Sequence, residues 1–237
     1  MSYLILIRHG QSEWNLENRF TGWVDVDLTQ NGKLEAEKAG YLIKKTNIKI
    51  DYYYSSFQLR ANHTLKIIQQ ILNDEKKFIK AWELNERHYG VLTGLNKIEM
   101  GQKLGEEKVL QFRRSWNLRP DPLDKKSKFH PLNIDTYKNI PIEKIPDTES
   151  LKDTYERVVN YYLLEIKNKI EKGNILISAH GNSIRALCKY LLNINEDQIS
   201  KLEIPTGNPL LLDIDENQKI HSCKYLDQDR SKDLLVF

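Results

Sequence analysis

The chain has 237 residues, of which 40% are hydrophobic and 9% aromatic. This length and composition allow a full hydrophobic core, which excludes global disorder and favours one large domain spanning residues 1–237. The 36 basic and 33 acidic residues leave a net charge of only +3, scattered along the chain. Nucleic-acid binding is therefore not expected.

The first predicted element is a strand buried on both faces, because Tyr3–Ile7 is a short, continuous apolar run. The run is too short for the core of a signal peptide or for a membrane span. We therefore expect a cytoplasmic protein that does not bind membranes. The cysteines Cys188 and Cys223 lie in no metal-ligand pattern, and we predict no metal site.

The following elements alternate between helices and strands. A helix is predicted from the N-cap Thr29 to Lys45, with an apolar side formed by Leu34, Ala39, Leu42 and Ile43. Further helices are predicted over 60–72, 150–172 and 182–192, and strands over 52–54, 175–179 and 210–214. This alternation predicts an α/β fold of three layers, a mostly parallel sheet with helices on both faces.

One segment, at about 117–147, interrupts the alternation. It holds most of the prolines and many charges, and its apolar residues follow no regular period. Because it is too long for an ordinary connection, we expect an irregular excursion with a function or a flexible segment.

Two of the predicted strands end in the same way. Ile7 leads into Arg8-His9-Gly10, and Ala179 leads into His180-Gly181-Asn182. Ligands of open α/β sheets bind at the carboxyl ends of the strands, so the two histidines could face each other across one site. A glycine after each histidine allows the backbone to approach a ligand closely.

The neighbours of His9 suit an anionic ligand. Arg8, Ser12 and Asn15 offer a charged fork, a hydroxyl and an amide. A neutral imidazole in this position can attack phosphorus and form a phosphohistidine. His180, if protonated, would then stabilise the charge on the phosphoryl oxygens.

The segment Arg8–Ser12, with Asn15, resembles the signature of the histidine phosphatase superfamily. Further segments resemble the 2,3-bisphosphoglycerate-dependent phosphoglycerate mutases of that superfamily, over about residues 2–226: Asn18–Trp23, Leu84–Gly90, Gly94–Lys97, Arg113-Arg114, Thr148–Ser150 and Ile204–Gly207. The resemblance implies interconversion of 3-phosphoglycerate and 2-phosphoglycerate in glycolysis and gluconeogenesis.

The resemblance also implies roles for individual residues. His9 would be the phosphorylated nucleophile, Glu86 the general acid and base, and His180, Arg8 and Arg60 the other catalytic residues. Phosphate and carboxylate groups would be held by Arg8, Ser12, Asn15, Thr21, Gly22, Arg60, Glu86, Tyr89, Lys97, Arg113, Arg114, Gly181 and Asn182.

The implied cofactor is 2,3-bisphosphoglycerate, which primes His9, without a metal. The implied partners are phosphoglycerates and further copies of the chain in a dimer or tetramer. Two alternatives remain: a histidine phosphatase acting on a small phosphorylated metabolite, and, from a different class, an inert phosphate-binding module. The phosphatase would share His9, Arg8, Arg60 and His180, and the inert module would have lost His9 or His180.

The end of the chain departs from the resemblance. Many members of the family continue with a longer segment that is thought to cover the site, whereas this sequence stops at Phe237. We expect either that Leu234–Phe237 closes the site as a small apolar cap or that the site is more open to water.

Overall fold

The computed structural model describes residues 1–231, and the predicted cap Leu234–Phe237 lies outside the described residues. The strands are β1 (Ser2–Arg8), β2 (Tyr52–Ser55), β3 (Ile79–Lys80), β4 (Ile175–Ala179), β5 (Leu210–Ile214) and β6 (Ile220–Tyr225). The α-helices are α1 (Glu13–Leu16), α2 (Gln30–Lys45), α3 (Leu59–Leu72), α4 (Lys97–Leu104), α5 (Glu106–Arg114), α6 (Leu151–Tyr161), α7 (Lys167–Ile170), α8 (Gly181–Leu191) and α9 (Glu196–Ile199).

The described strands form one sheet in the order β3-β2-β4-β1-β5-β6. β1 to β4 run parallel to one another, and the hairpin of β5 and β6 adds an antiparallel edge. The predicted α/β fold with a mostly parallel sheet is confirmed. β3 and β6 were not predicted, because β3 has only two residues and β6 carries polar, partly exposed side chains.

The apolar run of β1 is divided between the two faces of the sheet, because successive side chains of a strand point in opposite directions. Leu4 and Leu6 pack in a core with residues of α6 and α8. Ile5 and Ile7 pack in a second core with residues of α2 and α3. Helices therefore cover both faces, and β1 is buried between them as its sequence predicted.

Most predicted helices are present, with two differences. The stretch 150–172 is not one regular helix, because a π-helical turn at Tyr162–Ile166 separates α6 from α7. Leu34 is 53% exposed, so it was wrongly placed on the apolar side of α2. Ala39 and Ile43 are buried as predicted, and the small buried residue Ala36 also allows α3 to pack closely.

The excursion at 117–147 contains short 3₁₀ turns at Pro131–Asn133, Asp135–Tyr137 and Ile142–Lys144. Buried polar contacts hold it in place. His130 is fully buried and its Nε2 lies 2.9 Å from Oδ1 of Asp147. The Tyr137 hydroxyl donates to the backbone oxygen of Trp23, and the two rings pack together.

Within residues 1–231, no helix is both long and apolar enough to cross a membrane.

Candidate active site

The two histidines that follow β1 and β4 lie side by side. The strands are adjacent and parallel, and Arg8 is in register with Ala179, so both strands end at the same edge. The His9 N–H donates to the Ala179 oxygen at 3.0 Å, which continues the pairing by one residue. The imidazole centroids of His9 and His180 are 5.0 Å apart.

The hydrogen bonds of His9 define the state of its ring. Nδ1 lies 2.7 Å from the backbone oxygen of Gly10, which can only accept, so Nδ1 carries the proton. Nε2 is then unprotonated, and its lone pair accepts a long hydrogen bond of 3.3 Å from Nε of Arg60. His9 thus presents Nε2 as a nucleophile.

Both histidines are neutral in the free site. Burial and the positive charges of Arg60 and Arg8 hold the pKa of His9 well below its ordinary value. Burial, Arg60 and His9 have the same effect on the pKa of His180, whose Nε2 lies 2.8 Å from the Ser56 hydroxyl. The role predicted for a protonated His180 therefore requires a bound phosphoryl group, whose negative charge would raise the pKa of both rings.

Arg60 is almost completely buried, and its guanidinium is fixed by the backbone. Nη1 donates to the oxygen of Val24 and Nη2 to that of Gly22, both at 2.9 Å. Gly22 has φ +55°, in the left-handed region that favours glycine. This conformation directs the Gly22 carbonyl group towards α3, where it accepts from Arg60. The guanidinium of Arg60 is therefore oriented before any ligand binds.

Arg8 is fixed by fewer contacts. Its Nη1 donates to the oxygen of Ile204 at 2.8 Å, while its buried Nε has no partner among the described residues. A Cβ atom on Gly181 would lie 3.6 Å from this guanidinium, so glycine keeps the space above Arg8 open.

The Glu86 carboxylate lines the same cavity and lies at the start of α8. Its Oε1 accepts from the backbone N–H of Arg87 at 2.8 Å and from that of Asn182 at 3.2 Å. Its own N–H donates to Gln58 at 2.9 Å. Since both described hydrogen bonds to the carboxylate go to Oε1, Oε2 is the oxygen available to a ligand.

A buried ion pair between Arg157 and Glu149 holds the backbone around Glu86. Arg157 pairs with Glu149 and also donates to the backbone oxygens of Glu83, Asn85 and Glu86, at 2.5 to 3.0 Å. Oε2 of Glu149 in turn accepts from the N–H of His88. The segment that carries Glu86 is therefore fixed on both sides by one arginine–glutamate pair, which the sequence analysis did not identify.

These groups surround a small cavity that is partly open to solvent. The predicted residues that line it are Arg8, His9, Asn15, Thr21, Gly22, Arg60, Glu86, Tyr89, Lys97, Arg113, Arg114, Gly181 and Asn182. Ser12 and His180 do not line it. Ser12 is fully buried and its hydroxyl caps α1, so its contact with the ligand stays a prediction.

Three further residues line the cavity and were missed: Arg19, Arg185 and Glu203. Arg185 follows Asn182 by three residues on α8, a spacing that places both on one helix face and could have identified it. Its Nη1 donates to Oδ1 of Asn182 at 2.6 Å, and Asn182 donates to the Tyr89 hydroxyl at 2.9 Å. Arg185 thus orients side chains that the sequence did predict.

The cavity is strongly positive, with seven arginine and lysine side chains against the carboxylates of Glu86 and Glu203. Burial and the nearby charges of Arg113 and Arg8 lower the pKa of Lys97 to about 8. Burial and Arg114 lower the pKa of Arg185 to about 10. Mutual repulsion of this kind is relieved by an anion, so the arrangement fits a ligand with several negative charges.

Comparison with known proteins agrees with this chemistry. Residues 4–130 and 121–224 match the histidine phosphatase superfamily (branch 1). A 2,3-bisphosphoglycerate-dependent phosphoglycerate mutase of Pelagibacter ubique is 66% identical over the whole of both chains. The enzymes of the same name from Borreliella afzelii and Caulobacter sp. are 48% and 46% identical, over 92% and 99% of this chain and 88% and 98% of theirs.

Solved structures share the fold at lower identity. A mycobacterial glucosyl-3-phosphoglycerate phosphatase superimposes with a TM-score of 0.71 at 19% identity, over 95% of this chain and 98% of its own. A putative α-ribazole-5′-P phosphatase of Escherichia coli gives 0.70 at 18% identity over all of both chains. These two structures show only the fold, whereas the sequence relatives show the family. The chain belongs to the histidine phosphatase superfamily and, within it, to the family of 2,3-bisphosphoglycerate-dependent phosphoglycerate mutases.

Proposed function

We propose that this protein interconverts 3-phosphoglycerate and 2-phosphoglycerate through a phosphohistidine on His9, with 2,3-bisphosphoglycerate as the primer and intermediate. The observation that carries the proposal is the unprotonated Nε2 of His9 in a cavity lined by seven basic side chains. The ligands carry about three to five negative charges, which this cavity can balance.

His9 is the nucleophile in this proposal. Nε2 attacks the phosphorus of the bisphosphate, the Nε2–P bond forms, and the P–O bond to the substrate carbon chain breaks. The electron pair of that bond stays on the departing oxygen. Because Nδ1 already donates to Gly10, the ring is held in the tautomer that this attack requires.

Glu86 supplies the proton. It protonates the departing oxygen and, in the reverse direction, accepts the proton of the hydroxyl that attacks phosphohistidine. Arg8 and Arg60 stabilise the charge on the phosphoryl oxygens beside His9. Lys97, Arg113 and Arg114 hold the distal anionic group, since they line the same cavity. The remaining predicted ligand-binding residues position the substrate between these two ends.

The alternatives make different predictions in one experiment. Conversion of 3-phosphoglycerate to phosphoenolpyruvate is followed at 240 nm with added enolase, with and without 2,3-bisphosphoglycerate, while released phosphate is measured in parallel. A mutase forms phosphoenolpyruvate at a rate that the bisphosphate raises. Phosphate release without phosphoenolpyruvate would identify a phosphatase, and neither product an inert binding module.

We also propose that the protein acts in the cytoplasm as a homo-oligomer, a dimer or a tetramer, and that residues 1–237 form one domain. The similarity of this chain to the curated mutases over its whole length supports these proposals. Light scattering of the purified protein gives the number of copies. A single cooperative unfolding transition is the result expected for one domain.

A further inference from the structure

One carboxylate in the cavity has no part in the proposed reaction. Glu86 has a chemical role, but Glu203 lines the same cavity and forms an ion pair with Arg114. A negative charge at this position opposes the binding of a polyanion. The other charged side chains that line the cavity, apart from Glu86, are basic and attract anions. The presence of the Glu203 carboxylate among them therefore requires an explanation.

The backbone on both sides of the Glu203 carboxylate is fixed. The Tyr225 hydroxyl donates to the oxygen of Glu203 at 2.7 Å, and Nη1 of Arg8 donates to the oxygen of Ile204 at 2.8 Å. The segment therefore cannot swing away from the cavity without losing a contact to Arg8. The side chain itself is 44% exposed and can change rotamer.

Glu203 is the acidic partner of Arg114 among the described residues. The other described hydrogen bond of this guanidinium, from Nη1 to the oxygen of Ser200, is longer at 3.3 Å. Arg114 is only 21% exposed and lies near Arg185, whose charge it repels. An arginine in such surroundings favours a negatively charged partner, and in the free protein Glu203 provides one.

We propose that Glu203 is an internal competitor for Arg114, which a ligand with two phosphate groups must displace when its distal phosphate binds. This inference rests on the proposed function, because it takes 2,3-bisphosphoglycerate as the ligand. The displaced carboxylate then lies close to the bound polyanion. Glu203 thereby lowers the affinity for the bisphosphate. A lower affinity allows the bisphosphate to reorient in the cavity, as the mutase reaction requires.

The test is binding of 2,3-bisphosphoglycerate by calorimetry in a His9→Ala background, where no phosphoryl transfer to His9 accompanies binding. Glu203→Gln keeps the shape of the side chain and removes its charge. We expect its Kd to fall about fivefold, equivalent to about 1 kcal/mol. Glu196→Gln is the matched control, because it removes one negative charge from the first turn of α9 and should leave Kd unchanged.

A double-mutant cycle identifies the mechanism. In an Arg114→Met background the Glu203→Gln effect should become smaller, because the competition for the guanidinium is removed and only the repulsion between the carboxylate and the bisphosphate remains. An undiminished effect in that background overturns the inference. An unchanged or higher Kd for Glu203→Gln overturns the inference, as does an equal decrease in Glu196→Gln. If the unsubstituted protein converts phosphoglycerates while Glu203→Gln leaves Kd unchanged, only this inference fails. Absence of both binding and conversion overturns the proposed function as well.

Discussion

The guanidinium of Arg60 contacts the imidazole of His9 directly, with Nε 3.3 Å from Nε2. Nε2 is therefore the ring nitrogen that faces the anion site, whereas Nδ1 is engaged with the Gly10 oxygen. This relationship determines which nitrogen can receive a phosphoryl group.

We predict that incubation with 2,3-bisphosphoglycerate phosphorylates His9 at Nε2. The label should be labile in acid and stable in alkali, as a phosphoramidate is, and ³¹P–¹H NMR can assign the nitrogen. His9→Ala should lose both the label and turnover. His221→Ala, which removes an exposed histidine, serves as the control and should retain both. Phosphate on Nδ1 or on another residue would contradict the assignment.

Glu86→Gln preserves the shape of the side chain and removes the base. We expect mutase turnover to fall roughly 10²–10⁴-fold, together with the rate of His9 phosphorylation, since the departing oxygen needs the same proton. Stopped-flow and steady-state rates test this expectation. Glu83→Gln alters a nearby carboxylate outside the cavity lining and should remain within about twofold of the original rate. Near-normal turnover in Glu86→Gln would assign the acid–base role to another group.

Arg157 acts as a positioning residue for Glu86. Arg157→Lys keeps the charge but cannot reproduce the fork that reaches Glu149 and the backbone oxygens. We expect kcat to fall about tenfold to a hundredfold, with a smaller change in KM, because Glu86 is displaced while the basic wall is intact. Arg119→Lys, in an exposed ion pair with Asp153, is the matched control. Equal losses in both variants would indicate a general effect on stability.

Stability should decline in mild acid. Burial, together with the charge of His130, lowers the pKa of His88 to about 3, whereas an unfolded histidine has a pKa of about 6.5. Between these values the unfolded chain binds a proton that the folded protein excludes, so falling pH favours unfolding. From pH 6.5 to 5 this effect is roughly 2 kcal/mol for His88. The lowered pKa values of His9 and His180 act in the same direction.

Urea unfolding at pH 7.0, 6.0 and 5.0 measures this loss. His88→Asn keeps an acceptor for the Gly90 N–H and removes the titrating ring. The free energy of unfolding should then fall less steeply with decreasing pH. The change in slope should correspond to about one proton fewer taken up on unfolding. A free energy that is independent of pH between 7 and 5 would show that these rings titrate alike in both states.

The final prediction concerns metals. Among residues 1–231, no group of three or more His, Cys, Asp or Glu side chains is arranged to hold a metal ion, and arginines can supply the charge stabilisation. Mutase activity should therefore persist in EDTA and decline with vanadate, whose five-coordinate form resembles the transferring phosphoryl group. Inhibition by EDTA that Mn²⁺ reverses would contradict a metal-independent mechanism.

The sequence alone determined the central strands and the histidines that follow them. Tyr3–Ile7 and Ile175–Ala179 are continuous apolar runs, and such runs form strands only where both faces are covered. Because parallel strands end at one edge, the positions of His9 and His180 followed from local sequence. The motif segments likewise indicated the family and thirteen of the residues that line the cavity.

Tertiary structure decided the charge states and the supporting contacts. His180 is neutral in the free site because burial and Arg60 lower its pKa, and no local pattern reports the burial of a polar side chain beyond the end of a strand. Arg157 and Glu149 are eight residues apart, but the pair acts on a segment some seventy residues away. Glu203 and Arg114 meet across 89 residues. Such contacts depend on how distant segments pack, so sequence periodicity, which records only neighbours along the chain, could not indicate them.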